Sequence, residues 1–130
     1  MIGIVIVAHG GLANEYLAAM EHVVGAQNGV SAITIEANHD RGQKQREICA
    51  AADAVDHGDG VVVVTDMFGG SPSNLSLRAC APANRRILYG ANLPMLIKLA
   101  KSRHLDVADA VRAALEAGRK YIDSQNIQTG

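Results

Sequence analysis

Two residues that close apolar runs are placed to do chemistry in this chain: His9, which follows residues 2–8, and Asp66, which follows residues 61–65. A neutral imidazole is a competent nucleophile at physiological pH, because histidine ionises near ~6.5 and the neutral ring always keeps one free lone pair. A carboxylate that accepts the proton on the other ring nitrogen fixes the tautomer and stabilises the positive charge that develops on attack. Asp66 can do this for His9. Directly after Asp66 comes Met67-Phe68-Gly69-Gly70-Ser71-Pro72-Ser73-Asn74, in which the glycines permit close backbone approach, Ser71 adds a hydroxyl and Pro72 pre-sets the first turn of a helix. Backbone N–H groups aimed from such a loop, reinforced by a helix dipole, suit the oxygens of a moving phosphoryl group.

Each of these residues also has a plainer reading. A histidine ahead of two glycines can be an ordinary loop residue, and an aspartate after a strand can be a turn or helix cap. Gly69-Gly70-Ser71 lacks the lysine of a phosphate-binding P-loop. The combination is more specific than its parts, because a parallel sheet places all three at one edge. His22, His57 and His104 share no metal-ligand spacing and are expected to face solvent, so no metal is expected. His39, in Asn38-His39-Asp40, is read as an exposed loop residue, with a place along the same edge as the alternative. Met67 and Phe68 either pack internally or offer an apolar contact to a protein partner.

The elements that position these residues alternate between two periodicities. β-branched apolar runs predict strands over residues 2–8, 31–36, 60–65 and 86–89. Helical spacing predicts helices over 12–24, 43–55, 73–80, 94–102 and 107–122, with Gly25 stopping the first and Pro94 opening the fourth. Strand-helix alternation implies an α/β fold, a parallel sheet with helices on both faces, and ligands bind such sheets beyond the carboxyl ends of the strands. The unbroken apolar runs agree, since central parallel strands are covered on both sides. Residues 125–130 are polar apart from Ile127 and are read as a frayed tail or a short edge strand.

The 130 residues are expected to form a single domain, 1–130, able to bury roughly two-thirds of its unfolded surface without a staple. Twelve basic against thirteen acidic residues leave no basic footprint for nucleic acid. No signal peptide or bilayer-spanning run is read, which points to a cytoplasmic protein with no membrane insertion. Cys49 and Cys80 are read as buried, inert thiols rather than a disulfide.

Val5-Ile6-Val7-Ala8-His9-Gly10, the segment from Thr65 to Asn74, and Gly90-Ala91-Asn92-Leu93-Pro94-Met95-Leu96 resemble three signature segments of a known family. They are those of the mannose-type (mannose/fructose/sorbose) IIA domains of the bacterial phosphoenolpyruvate-dependent sugar phosphotransferase system, and the similarity in order and spacing covers essentially the whole chain. The resemblance implies that His9 accepts a phosphoryl group from the histidine phosphocarrier protein and passes it to a IIB component. It implies Asp66 as the partner of His9, and Met67, Phe68, Gly69, Gly70 and Ser71 as the phosphate loop. Gly10, Asn92, Leu93 and Pro94 would form the supporting loops. The expected architecture is a three-layer, doubly wound, mostly parallel sheet of four strands in order 2-1-3-4, with residues 125–130 as a candidate antiparallel edge strand. A homodimer, indirect coupling to IIC and IID membrane components, and no cofactor are also implied. Three other readings remain: a free-standing regulatory phosphoprotein, a phosphotransfer domain of the dihydroxyacetone kinase type, and a flavodoxin-like domain, which the first loop disfavours for want of hydroxyl residues.

Overall fold

The computed structural model describes residues 1–129. The elements run β1 (Gly3–His9), α1 (Leu12–Val24), β2 (Val30–Ile35), α2 (Arg41–Val55), β3 (Val61–Thr65), α3 (Ser71–Leu75), β4 (Arg85–Leu88), α4 (Leu93–Lys101) and α5 (Val107–Lys120), with single 3-10 turns at Arg78–Cys80 and Ile127–Thr129. All strand pairs are parallel and the order is β2-β1-β3-β4, as expected from the sequence.

The period-two geometry of a strand sends neighbouring side chains to opposite faces. Ile4, Ile6, Ala8, Val62 and Val64 face α1, α4 and α5, where Met20, Leu96, Leu99, Ala110 and Ala114 cover them. Val5, Val7, Val61 and Val63 join Ile33 and Ile35 on the other face, against Ile48, Ala52 and Val55 of α2 and Leu75 of α3. Each valine and isoleucine in β1 and β3 is fully buried, so these two central strands are apolar up to the polar residues at their carboxyl ends, His9 and Thr65. Burying one such side chain contributes about 1.5–3 kcal/mol, so the strands that end at His9 and lead into Asp66 are anchored through the core.

Helix boundaries follow local chemistry. The Gly25 N–H closes α1 by donating to the Glu21 carbonyl. Helix α2 starts at Arg41, ahead of the expected residue 43, because the Asp40 carboxylate accepts a hydrogen bond from Gln43 N at 2.9 Å. The expected helix over 73–80 divides into α3 and a 3-10 turn. Ser76 Oγ donates to the Pro72 carbonyl at 2.6 Å while Ser76 N turns back to Ser73 O, which tightens and ends the first piece.

Strand β4 begins at Arg85, opposite Val61, although a charged residue is a poor strand signal. Its guanidinium, only 7% exposed, bonds the Ala79 carbonyl at 2.9 Å, Asp53 at 2.9 Å and Asp56 at 3.1 Å. The Gly58 N–H and then Arg85 hold the Asp56 carboxyl below the usual range against the opposing effect of burial. Its contribution is present at neutral pH and is lost as acid protonates that carboxyl. Arg85→Met is expected to lower stability by roughly 2–4 kcal/mol in urea unfolding, because it strands Asp56 and the Ala79 carbonyl. A second buried cation, Arg103, bonds the Ile2 carbonyl at 2.7 Å, Gln27 Oε1 at 3.1 Å and the Gly29 carbonyl at 3.3 Å, tying down the amino end of the sheet.

The tail, a candidate edge strand, pairs with no strand of its own chain among the described residues, and Ile127–Thr129 form a 3-10 turn. Gly130 lies outside the described residues. Ile127, the one apolar residue of this polar stretch, is 79% exposed. Both cysteines are free and half-buried, and burial pushes the Cys80 thiol up to about 11. No helix among the described residues is long and apolar enough to cross a membrane.

Candidate functional site

Strand order reverses between β1 and β3, since β1 continues through α1 to β2 on one side while β3 lies on the other. In open parallel sheets the crevice beyond the carboxyl ends at such a point is the natural binding place. His9 is the last residue of β1 and Asp66 the first after β3.

The two residues meet there. Both the His9 backbone N–H, at 3.1 Å, and ring Nδ1, at 2.7 Å, bond to Asp66 Oδ2. A carboxylate oxygen only accepts, so this contact puts the ring proton on Nδ1 and leaves Nε2 with its lone pair. Asp66 is 9% exposed and His9 46%, so the orienting group is sheltered while the imidazole remains open to a reactant. Asp66 Oδ1 is shut away from solvent and has no hydrogen-bond partner. Tyr16, on α1, donates to the Ala91 carbonyl at 3.3 Å. Burial first, and the Asp66 charge second, push the Tyr16 hydroxyl up, which keeps it protonated.

The glycines beside His9 have steric reasons to be there. Gly10 takes φ +54°, a left-handed conformation that side chains rarely adopt, and donates its N–H to the Ile35 carbonyl at 3.0 Å as the chain leaves β1. Gly70 lies against the imidazole: a Cβ there would stand 3.0 Å from His9 Cε1 and 3.4 Å from Nε2. From Gly70 the chain enters α3, whose first-turn N–H groups have no acceptor within the helix.

His9, Gly10 and Ser71 line one open cleft of about 400 Å³ together with Ile35, Glu36, Ala37 and His39. His39 is a correction to the reading of that residue as exposed loop. The register pairs His9 with Ile35, so the turn that follows β2 must run beside the end of β1. That pairing cannot be read from the residues near position 39 alone. Met67 and Phe68 do not line this cleft; they are 52% and 74% exposed, and Phe68 makes an edge-on ring contact with Tyr89 at 5.0 Å between centroids.

The Asn92-Leu93-Pro94 segment is one step removed from the imidazole. Ala91 N donates to the Thr65 carbonyl at 3.0 Å, which ties this loop to the end of β3 just before Asp66. The Asn92 side chain accepts from Met95 N at 3.0 Å and donates to the Gly118 carbonyl at 2.8 Å, so it caps α4 and fastens α5. Pro94 occupies the first turn of α4 and Leu93 is partly exposed beside it. No group of three or more histidine, cysteine or acidic side chains able to hold a metal occurs among the described residues.

Comparison with known proteins adds to this geometry. The family model described as the PTS system fructose IIA component, of the mannose type, matches residues 3–116, which takes in His9, Asp66, the glycine loop and the Asn92 segment. The chain belongs to the mannose/fructose-type IIA family of the phosphotransferase system. It is similar to the mannose-specific EIIAB component of Escherichia coli K12, 30% identical over 124 residues that make up 93% of this chain and 38% of that protein. The chain therefore spans under two-fifths of that relative's length. Among solved structures, the EIIA component from Streptococcus agalactiae superposes with a TM-score of 0.85 at 27% identity, each chain being fully covered. A IIA protein associated with the fucose utilization operon of Streptococcus pneumoniae gives 0.79 at 25% identity, covering 98% of this chain and 93% of that one. In this IIA chain all three segments therefore fall at one edge of the sheet: β1 ends in His9, β3 leads into Asp66 and the glycine loop, and the β4–α4 connection is tied to the end of β3.

Proposed function

We propose that His9 Nε2 accepts a phosphoryl group from the phosphohistidine of the small phosphocarrier protein and hands it to a IIB component, for sugar uptake through IIC and IID membrane components. The observation that carries this reading is the 2.7 Å contact between His9 Nδ1 and Asp66 Oδ2, which leaves Nε2 unprotonated beside Gly70 and at the cleft. In the transfer the donor's P–N bond breaks as a bond from phosphorus to His9 Nε2 forms, and the donor imidazole departs with the electron pair. The proton on Nδ1 stays in place, so the ring becomes positively charged and Asp66 balances that charge. Met67, Phe68, Gly69, Gly70 and Ser71 surround the group, with backbone N–H groups for its oxygens and an exposed apolar rim for the partner protein. Catalysis on this account is positioning plus electrostatics, which protein groups supply without a cofactor.

Gly70 gives this site a clean steric test. Its φ of −85° suits any residue, so alanine there leaves the backbone unstrained, yet the methyl must displace the imidazole by a few tenths of an ångström. Gly70→Ala is expected to fold normally and to slow phosphoryl acceptance by roughly 10-fold, with valine slower still, since small misplacements of a reacting atom are costly. A rapid-quench assay of phosphorylation checks it.

The onward step separates sugar transport from a purely signalling role. Phosphorylated chain mixed with mannose-type IIB components is expected to lose its label to IIB. Retention of the label against all of them overturns the transport reading.

A further inference from the structure

Among the described residues, two side-chain polar atoms are cut off from solvent without any hydrogen-bond partner: Asp66 Oδ1 and His39 Nε2. Buried polar groups are almost always paired, and the exceptions concentrate where a ligand or reaction completes them. Asp66 already belongs to the His9 pair. His39 belongs to nothing described so far, yet it lines the same cleft as His9 and Ser71.

The ring of His39 is held in one tautomer. Nδ1 lies 2.7 Å from the Glu36 carbonyl oxygen, which can only accept, so Nδ1 carries a proton and the neutral ring leaves Nε2 as a bare, buried lone pair. Leaving a polar atom so costs stability unless something arrives to pair with it. A phosphoryl group on His9 brings negative charge and three acceptor oxygens into the shared cleft. An acceptor cannot bond a lone pair, but it can bond an imidazolium N–H. The turn that carries His39 is otherwise exposed at Glu36, Ala37, Asn38 and Asp40, and pairing of the buried Nε2 with a group in the cleft requires that turn to yield.

We propose that His39 is a second imidazole of the phosphoryl site, which takes up a proton when His9 is phosphorylated and donates its Nε2–H to a phosphoryl oxygen. The inference rests on the reading of His9 as phosphoryl acceptor. No further bond is made or broken: His39 gains one proton from solvent, and the phosphoryl group remains on His9. The charged groups around the turn are Glu36, Asp40 and Arg41 beside it, with His9 and then Asp66 across the cleft. Asp40 is engaged in capping α2. The incoming phosphoryl charge is therefore the main change that His39 meets on turnover.

The test uses the whole chain labelled with 15N-histidine, at neutral pH, before and after phosphorylation by phosphoenolpyruvate, enzyme I and the phosphocarrier protein. The expected result is phosphate on His9 together with a shift of His39 Nε2 from the unprotonated to the protonated 15N range. Phosphate on His9 with His39 unchanged overturns this inference and leaves the proposed function standing. No phosphate on His9 overturns both. In parallel, His39→Ala is expected to slow acceptance by roughly 10-fold, the effect of losing one donor to a developing anion, and His39→Gln, which retains an N–H donor, to recover most of it. An alanine variant as fast as the parent, or a glutamine variant as slow as alanine, contradicts the donor role.

Discussion

His9→Ala is expected to take up no acid-labile phosphate from phosphoenolpyruvate, enzyme I and the phosphocarrier protein, under conditions where the parent chain is fully labelled. The proposed acceptor atom is Nε2 of a ring whose other nitrogen is bound to Asp66, and among the described residues no other histidine has that arrangement. His22, His57 and His104 are exposed and do not line the cleft, and His39 has Nδ1 committed to a carbonyl rather than to a carboxylate. A carbonyl fixes the tautomer but gives no full negative charge to balance a phosphorylated ring. The substitution removes a half-exposed side chain at the end of a strand whose remaining residues are buried, so the melting temperature should stay within a few degrees of the parent. Loss of label together with an intact melt separates chemistry from folding. Label surviving on the alanine variant would place the acceptor elsewhere.

Asp66→Ala carries the second largest expected effect, a slowing of phosphoryl acceptance by roughly 10² or more, equivalent to about 2.7 kcal/mol of barrier. Two functions vanish with the carboxylate: the bond that keeps the proton on Nδ1, and the charge that balances the ring once phosphorus is attached. Folding should stay intact, because relief of the unpaired Oδ1 offsets the two hydrogen bonds lost at Oδ2. Asp66 is mostly buried with Oδ1 unpaired, an arrangement that costs folding free energy and is retained where chemistry requires it. Asp66→Asn keeps an acceptor without the charge, and an intermediate rate is expected of it. Rapid-quench kinetics alongside thermal melts measure both quantities. Unchanged kinetics in the alanine variant would make the Asp66 contact a structural tether to the His9 backbone N–H.

The legible parts of this fold were those in which the residues report their own surroundings. Unbroken valine and isoleucine at residues 4–7 and 61–64 announce strands covered on both faces, and both are central in the sheet. His9 and Asp66 could be placed at one edge because they sit at strand ends, and strand ends in a parallel sheet share an edge. What escaped depended on contacts between distant segments. Arg85 and Arg103 look like surface cations, and only folding shows them buried against Asp53, Asp56 and backbone carbonyls contributed by other elements. For His39 the structure takes the alternative, a place along the same edge, over the favoured exposed loop, because its position in the cleft with His9 follows from the β1–β2 register rather than from its neighbours in sequence. The division of residues 71–80 into two short pieces turned on one hydroxyl, Ser76 Oγ, bonding back to a carbonyl four residues earlier.

The central claim is that the Asp66 contact at Nδ1 leaves Nε2 of His9 as the atom that takes phosphorus. Its most direct test is to phosphorylate the chain with phosphoenolpyruvate, enzyme I and the phosphocarrier protein, and to identify the bonded nitrogen by 31P and 15N NMR. The expected product is a single phosphohistidine at His9 with phosphorus on Nε2 and the proton still on Nδ1. Phosphorus on Nδ1, on another residue, or nowhere would contradict it.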